Sequence, residues 1–230
     1  MTLLDETAVT RPRIAPPVVV FDFDGTLTSR DSFVDFGVRY CASRPARLLL
    51  VGALLPVAIL LSLVSRPRAG SILLWAMTVG SSTRSFVVAL RHYARYTLPS
   101  YANEAVIEEL VRHLMAGSQV AIATGTVPLL VRGLLDARGI GRLPIAGSRL
   151  RRKWGGLVAE TYCTGKTKVG ELSRRFGICD WSTVYTDSFA DRPLLVRARY
   201  VTLVSPSGRT LLRTRRLIDP ATTLRVLRAG

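Results

Sequence analysis

Two aspartates one residue apart, Asp22 and Asp24, close the apolar run 18–21 and are followed at once by Gly25 and Thr26. Residues i and i+2 of an extended chain point to one face, so both carboxylates reach one site. Gly25 permits a tight turn away from the strand. Two neighbouring carboxylates repel each other unless a cation sits nearby. Mg²⁺ suits that place, because it takes oxygen ligands and usually partners phosphates. Other polar groups fall at similar points along the chain. Thr124, followed by Gly125, comes after the run QVAIA; Lys168 stands near a helix start in CTGKTKVGEL, two residues after Lys166; Asp187 closes STVYTD, with Asp191 four residues on. Together they supply a nucleophile, an acid/base, a phosphate-neutralising pair and a metal seat. Taken singly, Thr124 and Asp191 read as helix caps, Lys168 as a solvated helix residue, and Asp22 and Asp24 as turn residues. His92 and His113 read as surface or packing residues.

Elements that could position these groups are legible in the hydrophobic pattern. Short apolar runs at 18–21, 119–123, 143–147, 183–185 and 200–204 predict buried parallel strands. Helical periodicity covers 102–115, 129–137 and 169–176. Strands alternating with helices imply an α/β fold, a Rossmann-like parallel sheet with helices on both faces. In such sheets ligands bind beyond the carboxyl ends of the strands, which is where Asp22, Asp24, Thr124 and Asp187 fall. Residues 149–163, with Trp154, Gly155 and Gly156 between two short strand-like stretches, predict a β-hairpin. The expected division is a lead-in over 1–16, a catalytic core over 17–30 and 100–210, a helical cap insertion over 31–99, and a basic tail over 211–230. Arg213, Arg215 and Arg216 in that tail read as a solvated face.

DFDGT, a strand-terminal threonine, a lysine and then DxxxD form the motif order of the haloacid dehalogenase superfamily phosphatases, subfamily IB. The pentapeptide DxDGT alone is expected by chance in roughly one chain of this length in several hundred at average composition; the ordered set is far more specific. The stretches DFDGTLTSRDSFVDFGVRY, ILLWAMTVG, TGTVPLLV, WGG, CTGKTKV and YTDSFADRPLL, spread over about residues 18–210, resemble the phosphatidylglycerophosphatase C family. The resemblance implies that Asp22 is a nucleophile forming an aspartyl-phosphate and that Asp24 is the general acid/base. It implies Mg²⁺ held by Asp22, the backbone carbonyl of Asp24 and Asp187. Thr124 and Lys168 would hold the phosphoryl oxygens, and Asp191 would orient Lys168 or complete the outer shell of the metal. Thr186 departs from the pattern, standing where many relatives have glycine.

Composition bears on the substrate. Apolar residues make up 48% of 230 residues, yet 32 Lys+Arg against 16 Asp+Glu leave a net charge of +16. An apolar, strongly basic chain suggests an anionic membrane surface as partner, with nucleic acid as the rival. No basic stretch interleaved with aromatics supports nucleic acid. Cys41, Cys163 and Cys179 show neither a disulfide nor a zinc spacing. Residues 48–65 are uncharged and near the length needed to cross a bilayer, with Pro56 in the middle as a potential helix break. Both flanks of the insertion must return to one active site, and Arg44, Arg47, Arg66 and Arg68 border the run. The expectation is therefore a re-entrant or interfacial helical hairpin entering from the cytoplasmic face of the membrane, as against a wholly buried cap helix. The expected activity is Mg-dependent dephosphorylation of phosphatidylglycerol phosphate. The alternatives are another lipid-linked or soluble phosphate ester, or a non-catalytic basic membrane-binding protein.

Overall fold

The computed structural model describes residues 16–228; the lead-in expected over 1–16 lies, but for Pro16, outside the described residues. Six parallel strands form the central sheet: β1 (Val18–Phe21), β2 (Gln119–Ala123), β3 (Ile145–Ala146), β6 (Thr183–Thr186), β7 (Tyr200–Val204) and β8 (Thr223–Leu227), in the order β3-β2-β1-β6-β7-β8. A separate antiparallel hairpin joins β4 (Arg149–Lys153) to β5 (Gly156–Thr161). The chain builds leftward from β1 to β3 and then crosses to β6 on the other side of β1. That reversal creates the crevice beyond the carboxyl ends of β1 and β6 in which ligands of such sheets bind.

Alternation along the strands divides the core in two. Val19 and Phe21 face a layer made by α5 (Glu104–Met115) and α6 (Pro128–Ala137), through Ile107, Leu110, Leu130 and Leu134. Val20, Ala121, Val184 and Leu203 face the opposite layer of α7 (Lys166–Phe176) and α8 (Arg192–Leu195), with Trp181, Leu172 and Leu194. Strands buried on both faces read as continuous apolar runs, which is why β1, β2, β6 and β7 were legible. His113 on α5 packs under the sheet, its ring nitrogen 3.0 Å from the Tyr185 hydroxyl, as a packing residue would.

The basic tail expected over 211–230 is not a tail. It contains most of α9 (Gly208–Leu217) and all of β8, which pairs in register with β7 and completes the sheet. An edge strand covered on one side only can carry Thr and Arg, so TLRVL lacks the apolar run of a central strand.

The insertion folds as α1 (Ser32–Ala42), α2 (Pro45–Ser62), α3 (Arg66–Thr78) and α4 (Thr83–Tyr96). Its last helix docks on the core, with Phe86, Leu90, Tyr93 and Ala94 buried beside α6. A Cβ at Gly133 would stand 2.5 Å from the Ala94 Cβ and 3.0 Å from its carbonyl oxygen. Gly133→Val is therefore expected to destabilise the protein by about 2 kcal/mol through overpacking, read as a lower urea midpoint at unchanged slope. An unchanged midpoint would mean that α4 and α6 do not touch there.

α2 runs unbroken through Pro56, against the expected break. An interior proline removes its own donor and crowds the carbonyl four residues back; here that carbonyl belongs to the exposed Gly52. The helix is about 27 Å long and only 11% of it is buried, which rules out the wholly buried cap helix. By length and composition it could cross a membrane. α3 is different: it covers the edge of β5. The hydroxyl of Thr78 accepts from Leu157 N at 2.8 Å, that of Ser71 accepts from Ala159 N at 3.3 Å, and the Trp75 indole donates to the Trp154 carbonyl at 2.9 Å. The segment 72–79 is thus engaged by protein.

Candidate active site

β1 delivers Asp22, whose backbone N–H continues the ladder by donating to the Tyr185 carbonyl at 2.9 Å. The chain then turns. Thr26 and Thr28 N–H groups both donate to the Phe23 carbonyl, and Gly25 takes φ +76°. A Cβ at Gly25 would lie 2.4 Å from Asp187 Oδ2. The left-handed φ and this close approach both demand glycine. Gly25→Ala is expected to cost about 1–2 kcal/mol of stability and to lower activity at least tenfold, on the order of what a misplaced reacting group costs. Thermal melts and initial rates on one preparation test this; wild-type behaviour in both would refute the close approach.

Lys168, near the start of α7, is buried with its ammonium 2.8 Å from Asp22 Oδ1 and 2.7 Å from Asp191 Oδ1. Lys166, one turn-start earlier, is exposed, so the geometry selects Lys168 of the two. Thr186 donates its hydroxyl to Asp191 Oδ2 at 2.8 Å. Thr186 thus fixes the aspartate that fixes the lysine. Asp24 accepts from Ser32 N at the start of α1 at 2.8 Å, a favourable place for a carboxylate. Thr124 is fully buried at the end of β2, and its hydroxyl accepts from Thr126 N at 3.0 Å, which leaves its proton to be donated. Gly125 and Thr126, rather than Thr124, line the cavity in front of it.

Burial, then the charge of Asp191, push the Asp22 carboxyl well above the usual carboxylate range, against the pull of Lys168. Burial lifts Asp24 to about 6, which makes a proton available near neutral pH. Asp187 is raised by burial too. Burial alone would depress Lys168, but Asp22 and Asp191 outweigh it and hold the ammonium above its ordinary range. Crowded carboxylates answered by one ammonium leave negative charge that a hard cation would offset. Among the described residues no three His, Cys, Asp or Glu side chains converge as a self-sufficient metal cage. Two carboxylates, Asp22 and Asp187, with the Asp24 carbonyl that the resemblance implies, are nevertheless an all-oxygen set. That set suits Mg²⁺, which keeps waters and takes substrate phosphate for its remaining positions.

All five acidic and basic groups, Asp22, Asp24, Lys168, Asp187 and Asp191, line one cavity of about 660 Å³. Its other wall comes from the insertion: Leu48, Val51 and Leu55 of α2, and Leu73, Leu74 and Met77 of α3.

Residues 19–196 match the family model described as haloacid dehalogenase-like hydrolase. The chain belongs to that family. The fold is shared with solved structures at low identity. A protein of unknown function from Bordetella pertussis Tohama I is 19% identical with a TM-score of 0.69, over 93% of this chain and 98% of that one. A phosphoserine phosphohydrolase-like protein from Francisella tularensis is 18% identical with a TM-score of 0.57, over 88% and 100%. Cytosolic 5'-nucleotidase IIIB is 12% identical with a TM-score of 0.59, over 93% and 81%. This haloacid dehalogenase-like chain is therefore a hydrolase, and the solved structures share its fold. Three positions around the site were not singled out in the sequence: Ser32, Thr126 and Ser148; Thr186 and Asp191 were each noted, but not their contact. Ser148 ties the Gly125 carbonyl at 2.6 Å to the Cys163 N–H at 2.9 Å. Only Ser32 had a local signal, since Asp31 before it is a helix N-cap accepting from Val34 N.

Proposed function

We propose that this hydrolase dephosphorylates a lipid phosphomonoester, phosphatidylglycerol phosphate, at an anionic membrane surface on the cytoplasmic side. The observation that carries this reading is the shared cavity, in which one wall is built for a phosphate and the other from the apolar side chains of α2 and α3. A soluble ester needs no such apolar wall. The headgroup itself rests on the motif resemblance. Arg44, Arg66 and Arg68 flank α2 on both ends, which favours a helix dipping in from the cytoplasmic face. Arg47 drops out of that count, because it is buried with its guanidinium 4.5 Å from the Tyr40 ring centroid.

In this reading a carboxylate oxygen of Asp22 attacks phosphorus and the bond to the lipid alcohol breaks. Asp24 gives its proton to the departing oxygen. Asp24, now a carboxylate, takes a proton from the water that attacks the acyl phosphate, which releases inorganic phosphate and restores Asp22. Lys168 holds the phosphoryl oxygens, the hydroxyl of Thr124 is its expected partner from behind the wall made by Gly125 and Thr126, and Asp191, held by Thr186, keeps Lys168 in place. Mg²⁺ on Asp22, Asp187 and the Asp24 carbonyl would supply charge neutralisation at the phosphoryl group.

Purified protein in mixed micelles tests the reading, with Mg²⁺ or with EDTA, against phosphatidylglycerol phosphate, phosphatidic acid, a polyprenyl phosphate, phosphoserine and a nucleoside monophosphate. The expected result is Mg-dependent release of phosphate with kcat/KM for phosphatidylglycerol phosphate at least about a hundredfold above the soluble esters. Preference for another lipid overturns the headgroup, preference for a soluble ester overturns the lipid assignment, and no turnover at all overturns the phosphatase.

A further inference from the structure

A second apolar cavity, of about 780 Å³, lies between α2, α3 and the β4–β5 hairpin. Leu54 and Leu61 of α2 and Ile72 and Trp75 of α3 line it, with Val158, Lys153 and Trp154 from the hairpin. Trp154 sits at the hairpin tip, 75% exposed. The tip turns through Trp154 at φ 48° and Gly155 at φ 75°. A two-residue turn with both φ positive favours Asn-Gly, and a bulky residue at its first position is an outlier. The folded protein therefore holds a large indole in solvent where turn geometry disfavours it.

The surroundings of the ring are cationic. The Lys153 ammonium lies 4.0 Å from the Trp154 ring centroid. Arg151 and Lys153 alternate onto the strand face that carries Val158 and Glu160 on β5. Arg68 lines the same cavity. Glu160, its one acidic lining residue, is 3.7 Å from Arg149. Among the described residues Arg68, Arg151 and Lys153 have no ion-pair partner. Indole and basic side chains with apolar stems are the groups that settle at the boundary between headgroups and acyl chains.

We propose that the β4–β5 tip is a second lipid contact: Trp154 enters the interface of an anionic leaflet while Lys153, Arg151 and Arg68 engage lipid phosphates. The occupant is the leaflet because apolar lining and unpaired cations share one surface with the exposed α2, and only anionic lipid complements both. Two contacts, α2 and the tip, fix the orientation of the insertion and set the mouth of the catalytic cavity at headgroup depth. The inference rests on the membrane reading above, and its test separates the two.

Wild type and Trp154→Phe are mixed with phosphatidylcholine vesicles containing about one-third phosphatidylglycerol, with or without lipids brominated near the top of the acyl chains. Co-sedimentation reads binding, and the difference in emission between the two proteins reads Trp154. Binding with about half or more of the Trp154 emission quenched supports the proposal, since an interfacial indole sits at that depth. Binding without quenching overturns it and leaves the membrane reading intact; no binding overturns both. A second arm uses Trp154→Ala/Lys153→Gln and compares turnover of vesicle-borne phosphatidylglycerol phosphate with that of p-nitrophenyl phosphate. The ratio is expected to fall about tenfold. Equal losses on both substrates would mean that the tip only supports the cap, and would overturn the proposal.

Discussion

Asp22→Asn is expected to lower turnover at least about a thousandfold, because removing a covalent nucleophile leaves only binding and electrostatic help. The substitution keeps the size of the side chain and its place beyond β1. It removes the negative charge of the carboxylate whose Oδ1 faces Lys168 at 2.8 Å. Since Asp22 also sits between the Phe23 N–H and the Lys168 ammonium, the amide retains an oxygen for both, and the fold should survive. Rapid quenching with ³²P-labelled substrate should trap a phosphoenzyme in wild type and none in the variant. Turnover within a few fold of wild type, in Mg²⁺, would remove Asp22 from the nucleophile role.

Lys168→Met is expected to cost about 10²–10³ in turnover, the range for losing one preorganised charge at a reacting oxyanion. It should also destabilise the protein by about 3 kcal/mol at pH 8, because it strands two buried carboxylates, Asp22 and Asp191. The sign with pH follows. Burial already raises Asp22 in the folded state, and loss of the ammonium raises it further. A raised carboxyl binds protons that the unfolded chain releases, so stability falls as pH rises through the folded value and is recovered toward the unfolded value near 3.8. Urea melts in EDTA between pH 4 and 8 should show the gap between variant and wild type closing at the acid end. A gap independent of pH would mean that lost packing, not stranded charge, carries the cost.

Much of the site was legible because its residues lie where apolar strands stop. β1, β2 and β6 are buried on both faces and end abruptly in Asp22, Thr124 and Asp187, so composition alone marks the sheet edge. Lys168 against Lys166 was not decidable that way: both lie in the first turn of the same helix, and only the folded structure shows which one turns inward, to Asp22 and Asp191. The Thr186–Asp191 contact was hidden for a similar reason, since it links a strand end to a short helix across a turn. β8 was missed because an edge strand lacks the signal that made the central strands obvious. α2 was legible as apolar, and the length of its uncharged run, with no polar face, already set it outside the core rather than as a buried cap helix, as its 11% burial bears out.

The strand order also has a kinetic consequence. β1 must pair with β2 and β6, which begin at Gln119 and Thr183, whereas α2 ends at Ser62. At roughly 5–20 residues per second of synthesis, α2 leaves the ribosome several seconds before the last partner of β1 exists. The apolar helix is thus complete while the nucleophile strand is still unpaired. On the membrane reading proposed above, a bilayer present at that moment takes up α2 before the catalytic crevice closes. Without one, nascent chains offer their helices to each other. Cell-free synthesis should therefore give more soluble, active protein when anionic vesicles are present during translation than when they are added afterwards. Equal yields from the two orders of addition would show that the helix waits safely for its sheet.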